Sequence, residues 1–71
     1  MERRTHWWNG SWGRLGRRDV YLYQDGGQWR VEARRGGAEG GSTWSEHPDR
    51  DTATDRVRDL LTGPGRWREL G

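Results

Sequence analysis

The sequence has no cysteine, no phenylalanine and no lysine, and only two prolines in 71 residues. Without cysteine there is no disulfide to brace a small fold, and thiolate ligands for zinc are excluded. His6 and His47 are the only nitrogen ligands left, so neither a metal nor any other cofactor is expected. No apolar run approaches the ~20 residues of a membrane span. Two arginines near the N-terminus have no apolar stretch behind them, so no signal peptide is read and a cytoplasmic protein is the default expectation. Apolar residues are scarce as well. Hydrophobic types make up 28% of the chain against 34% charged, a balance that by itself leans toward disorder. A chain this short has room for one domain, whose core rarely supplies more than about 3–5 kcal/mol unaided.

What is present instead is tryptophan. Six indoles, Trp7, Trp8, Trp12, Trp29, Trp44 and Trp67, stand beside Tyr21 and Tyr23. Each indole can bury roughly 150–250 Å², so a few can replace many aliphatic residues. All 13 basic residues are arginine. That usage fits a GC-rich genome as well as selection for bidentate phosphate or carboxylate contacts. A net charge of +2 is too small to demand a nucleic-acid partner, but the charge is unevenly spread. Arg3, Arg4, Arg14, Arg17 and Arg18 lie within the first 18 residues against one acid, Glu2. The segment from Gly36 onward is slightly acidic, so the chain is polarised with its positive end at the N-terminus.

Residues 1–18 read as an Arg/Trp/Gly-rich arm or a short hairpin. Asn9-Gly10 is a strong hairpin-turn signal, and such a turn would set Trp7 against Trp12. The 19–71 region reads as a β-β-β-α domain. Val20 and Leu22 alternate with Tyr21 and Tyr23, which predicts a strand. Asp25-Gly26-Gly27 is a turn. In 28–35, Trp29, Val31 and Ala33 alternate with Arg30, Glu32 and Arg34, which predicts a strand with one apolar face. Four glycines within 36–41 mark a loop. A third short strand over 42–46 would point Trp44 inward, and Pro48 ends it. Asp49 or Asp51 can cap a helix whose apolar stripe is Ala53, Val57, Leu60 and Leu61. Gly63-Pro64 stops it. The expected fold is α+β: a small antiparallel β-meander of three to four strands with one C-terminal amphipathic helix on one face. Its expected core is Val20, Leu22, Trp29, Val31, Ala33, Trp44, Val57, Leu60 and Leu61.

Catalytic chemistry is not expected. Ser42 or Ser45 with His47 could form a nucleophile–base pair, yet no supporting motif surrounds them. The 36–41 glycines lack the Lys-Ser/Thr and following helix of a phosphate loop, and read as a hairpin connection. Two features suggest binding. The first is the arm, where arginines can neutralise phosphates and Trp7, Trp8 and Trp12 can stack on bases. The competing reading is a tail whose rings complete the core. The second is the polar face of the hairpin, where Tyr21 and Tyr23 neighbour Arg30 and Arg34. There the competing reading is tyrosine packed on arginine stems.

Trp12-Gly13-Arg14-Leu15-Gly16 contains the tripeptide that names the WGR domain, a nucleic-acid-binding module, and resembles it over five residues only. In that family the motif lies on a strand after an earlier strand, whereas here it precedes the predicted strands, so no function is carried over. The β-β-β-α order is also similar in architecture to the three-stranded DNA-binding domains of phage integrases, without a shared motif. The expectation is a small non-catalytic binding module with no small-molecule substrate and no membrane. It would bind DNA or RNA through Arg3, Arg4, Trp7, Trp8, Trp12, Arg14, Arg17, Arg18, Arg30 and Arg34. The alternative is a protein-interaction or self-associating module whose exposed tryptophans anchor a partner or a second copy.

Overall fold

The computed structural model describes residues 1–71. Five strands form one antiparallel sheet: β1 (Glu2–Trp8), β2 (Arg18–Asp25), β3 (Gln28–Arg35), β4 (Ser42–His47) and β5 (Arg68–Glu69). Their spatial order is β4-β3-β2-β1-β5. The first four strands are a meander. A single helix, α1 (Arg50–Leu60), then carries the chain across one face, and β5 closes the far edge beside β1. The α+β architecture with one covered face is present. The strand number is five rather than three to four.

The additional strands come from the segment expected to be an arm or a short hairpin and from the C-terminal tail. Residues 2–8 pair with β2 on one side and β5 on the other, with Trp7 opposite Val20. The predicted Trp7–Trp12 cross-strand pair therefore does not form. A bulge at Arg4 shifts the register between Arg3 and Thr5, which breaks the period-two pattern that marks a strand in sequence. Asn9 does not sit in a two-residue hairpin. It is buried and holds the 9–17 loop together. Its Nδ2 donates to Gly16 O at 2.8 Å, and its Oδ1 accepts from the Arg18 and Ser11 amides at 3.0 and 3.3 Å. Its backbone carbonyl accepts from Arg66 N at 2.9 Å, tying the tail to the same loop.

Pairing register assigns every strand residue to a face. Thr5 and Trp7, Val20 and Leu22, Trp29, Val31 and Ala33, and Thr43 and Ser45 share the helix side. There Val20, Leu22, Val31, Ala53 and Val57 form the core, with Trp7, Trp29, Leu60, Leu61 and Trp67 packed around it. Trp44 is a correction to the expected core. It pairs with Glu32, whereas Val31 pairs with Ser45, so the fixed alternation of side chains puts Trp44 on the open face, 49% exposed. Ala33 is on the correct face but only half-buried.

Local signals explain the remaining ends. The β2–β3 turn places Gly26 at φ +62°, a backbone region that favours glycine. Asp49 caps α1 by accepting from Thr52 N at 2.8 Å. That hydrogen bond holds the Asp49 carboxyl below its ordinary range. The Arg50 guanidinium lies over the Trp29 ring, 5.5 Å from its centroid, and closes one end of the helix–sheet contact. No helix is long and apolar enough to cross a membrane.

Candidate functional site

The face that α1 leaves uncovered carries a row of rings across the sheet. His6 of β1 stacks on Tyr21 of β2, with centroids 4.2 Å apart and planes 16° apart. Tyr21 is followed by Tyr23 at 6.1 Å, and Tyr23 by Trp44 of β4 at 5.4 Å. The Arg3 guanidinium lies over Tyr21 at 5.7 Å. The bulge at Arg4 makes this possible, because it returns Arg3 to the same face as Tyr23, its pairing partner.

Two carboxylates are buried beneath this row. Asp19 is 2% exposed and Glu32 6%. Asp19 accepts from His6 Nε2 at 2.7 Å and from Arg17 Nε and Nη2 at 2.9 and 3.3 Å. A carboxylate can only accept here, so the His6 proton resides on Nε2. Burial pushes the Asp19 carboxyl up, but the hydrogen bonds from Arg17 and His6 outweigh it and hold the group below its ordinary range. The same hydrogen bond raises Arg17. Glu32 accepts from the Tyr23 hydroxyl at 2.9 Å, from Arg34 Nη1 at 3.3 Å and from the Ser42 hydroxyl. Burial, helped by that bond to Glu32, pushes the Tyr23 phenol up to about 12. Burial also raises Tyr21, with Asp19 and Glu32 adding to it.

Rings, acids and arginines together border a cavity of about 470 Å³. Arg3, Arg17, Arg34, Asp19, Tyr21 and Tyr23 are among its walls. Such a cleft suits a planar group with hydrogen-bonding edges and a negative charge near Arg3.

The residues expected to bind are divided by the fold. Arg3, Arg17, Arg30 and Arg34 lie on the open face. Arg17 is engaged by Asp19 and lies over both Trp8 and Trp12. Arg34 is engaged by Glu32, by Ser42 and by the carbonyls of Gly37 and Ala38. Arg30 pairs with Asp25 and Glu46, and its buried Nε has no partner. Arg4 pairs with Glu2 at the bulge. Trp8 is 7% exposed, with its indole N–H donated to Ser11 O. Trp12, 77% exposed, packs against it at 4.5 Å. Trp7 is on the helix side among the core residues, out of reach of anything on the open face. Arg14 and Arg18 project at one end of the sheet, away from the ring row.

Sequence reasoning did not single out His6, Asp19, Glu32 or Trp44 as binding residues, and weighed Ser42 only as a nucleophile. The one available signal was parity: Asp19 shares its alternation with Tyr21 and Tyr23, and Glu32 with Arg30 and Arg34. Ser45 Oγ and His47 Nε2 do meet, at 2.8 Å. None of the surface depressions is lined by either residue, so no substrate-sized space adjoins the pair. No group of three or more His, Asp or Glu side chains is arranged to hold a metal ion. In comparisons with known proteins, no family model, no curated protein and no solved structure matches the chain.

Proposed function

We propose that the chain is a non-catalytic binding module whose open sheet face takes single-stranded nucleic acid. The observation that carries this reading is the ring row His6–Tyr21–Tyr23–Trp44, which runs across the sheet from β1 to β4 beside Arg3. Unpaired bases stack on such rings, and arginines beside them meet the phosphates. Duplex bases are hidden in their own stack, so rings that bind by stacking favour single strands. Arg17, Arg30 and Arg34 are already balanced by acids, so stacking supplies more of the affinity than charge does. The Trp7 contribution expected from sequence drops out of this reading, and Trp44 replaces it.

The test is a titration of single-stranded and duplex DNA and RNA at two salt concentrations, followed by tryptophan fluorescence. Single strands bind, and duplexes bind less. Each phosphate contact contributes a slope of about −0.7 against log salt, so the few free arginines give a shallow dependence. Trp44→Ala weakens binding by about tenfold or more, as loss of one stacked base does. Absence of binding at low salt overturns the proposal.

A second reading has its own support. Trp12 and Leu15, 77% and 94% exposed, stand on one loop. Tryptophan is a typical anchor for a protein partner or a second copy, and Leu15 adds exposed apolar area on the same loop. A dimer in size-exclusion that is lost in Trp12→Ser, together with indifference to nucleic acid, favours it.

A further inference from the structure

At the end of the sheet where β2 begins and β3 ends, two arginines face each other. Arg18 and Arg35 are direct cross-strand partners. Like charges placed directly opposite destabilise a sheet. Neither residue forms an ion pair. Their neighbours Arg17 and Arg34 are anchored on the buried acids Asp19 and Glu32. Arg18 donates only to the backbone carbonyls of Leu15 and Arg17, at 3.2 and 2.8 Å. A third arginine, Arg14, comes to the same place from the β1–β2 loop. Its only acid is the exposed Glu39, 3.9 Å away.

These three residues line a depression of about 190 Å³ together with Leu15 and the backbone of Gly36, Gly40 and Gly41. Two of these glycines, Gly36 and Gly40, are required there. A Cβ on Gly40 would fall 1.6 Å from Arg35 O, and Gly36 holds φ +77°. The 36–41 loop therefore wraps closely over Arg35 and puts no side chain of its own glycines into the hollow. In sequence these glycines read as a hairpin connection, which they are. Only the fold brings three arginines to the same depression.

We infer that Arg14, Arg18 and Arg35 hold a phosphate group in this depression. Three arginines bordering one small hollow offer forked donors and three positive charges, which match a tetrahedral dianion better than a planar carboxylate with one charge. A bound dianion also removes the repulsion between Arg18 and Arg35. The phosphate arrives either on a small free compound or as the terminal phosphate of a nucleic-acid strand. The second source rests on the reading of the open face, and the first does not.

Inorganic phosphate is the probe, added to the full chain against chloride at matched ionic strength. Arginine side-chain and glycine amide NMR signals report the site. Signals of Arg14, Arg18, Arg35, Gly36, Gly40 and Gly41 shift saturably with phosphate, and Arg35→Gln abolishes the response. Thermal melts give a second readout. Without phosphate, Arg35→Gln melts higher than the parent because the like-charge pair is gone. With phosphate, the parent gains and the variant does not. A phosphate response no larger than that of chloride, or one retained in both Arg18→Gln and Arg35→Gln, overturns the inference.

Strands with and without a terminal phosphate separate the two sources. Several-fold tighter binding of the phosphorylated strand, lost in Arg35→Gln, means that the group arrives on nucleic acid. Equal strand binding beside saturable inorganic phosphate means a free compound. Phosphate that saturates a protein to which no strand binds overturns the stacking face alone. Strands that bind with no response to phosphate overturn this site alone.

Discussion

The two faces of the sheet solve the same problem with different chemistry. On the helix side, small aliphatic residues at Val20, Leu22, Val31, Ala53 and Val57 are walled by Trp7, Trp29 and Trp67. No charged residue is part of that core, and stability comes from area removed from water. On the open side there is no second layer. Burial is reached by laying rings and arginine stems over Asp19 and Glu32 and satisfying each carboxylate with three donor contacts. Three of the six indoles serve each side: Trp7, Trp29 and Trp67 on one, Trp8, Trp12 and Trp44 on the other. The difference teaches where tolerance lies. The apolar side is non-directional and suffers from lost volume, whereas the polar side is directional and suffers from a single lost partner.

The largest effect is expected from Leu22→Ala. Leu22 is 3% exposed at the centre of the covered face. A buried Leu→Ala change costs about 2–5 kcal/mol, against about 3–5 kcal/mol that a core this small provides. Circular dichroism should find the variant largely unfolded at room temperature. A cooperative melt close to that of the parent would mean that the covered face is not the source of stability.

Asp19→Asn attacks the other face with no change in volume. It removes the charge that balances Arg17 and the acceptor pair that His6 and Arg17 share, and should cost about 1–3 kcal/mol near neutral pH. The sign with pH follows from the lowered native pKa. Asp19 contributes stability that is fully present above its unfolded value of about 3.9 and is lost as pH falls through the lower native value. Denaturant melts of parent and variant should therefore converge on the acid limb. A gap that persists at low pH would show that shape, not charge, is what Asp19 provides.

How much of this was legible in sequence also divides by face. The β2–β3 hairpin and α1 were readable because burial on one side leaves a period: Val20 and Leu22, Trp29 and Val31, Ala53 and Val57. A cap at Asp49 or Asp51 and Gly63-Pro64 as the stop were readable because capping is local, and the structure selects Asp49. β1 was not, since its bulge at Arg4 disrupts alternation and both Trp7 and Trp8 are apolar on opposite faces. Asn9 misled because the residue that suits a tight turn also suits a buried hub with several backbone partners. Trp44 misled because an indole is assigned inward by its size, whereas its direction is set by the register of β4 on β3. The arginine-rich segments were visible as charge. Which of them are neutralised was not, because Arg17 meets His6 only through a carboxylate that strand pairing delivers.

Tyr23→Phe is the smallest and sharpest change. It deletes one oxygen, the donor to Glu32 Oε1 at 2.9 Å, and keeps the ring that stacks on Trp44. Glu32 retains Arg34 and Ser42, so the loss should be about 0.5–1.5 kcal/mol at neutral pH. The alkaline limb distinguishes a structural bond from mere crowding. The native phenol titrates at about 12, above an unfolded value of about 10. Its contribution is fully present below the lower value and is lost as pH rises through the higher one. The parent should lose stability over that window relative to the phenylalanine variant, and phenolate absorbance should show both tyrosines ionising late in the folded parent, only Tyr21 in the variant, and both at their ordinary pH once the parent is denatured. A Tyr23 that ionises normally while folded would mean that the hydroxyl faces water, and the polar face would then be held by Arg17 and Arg34 alone.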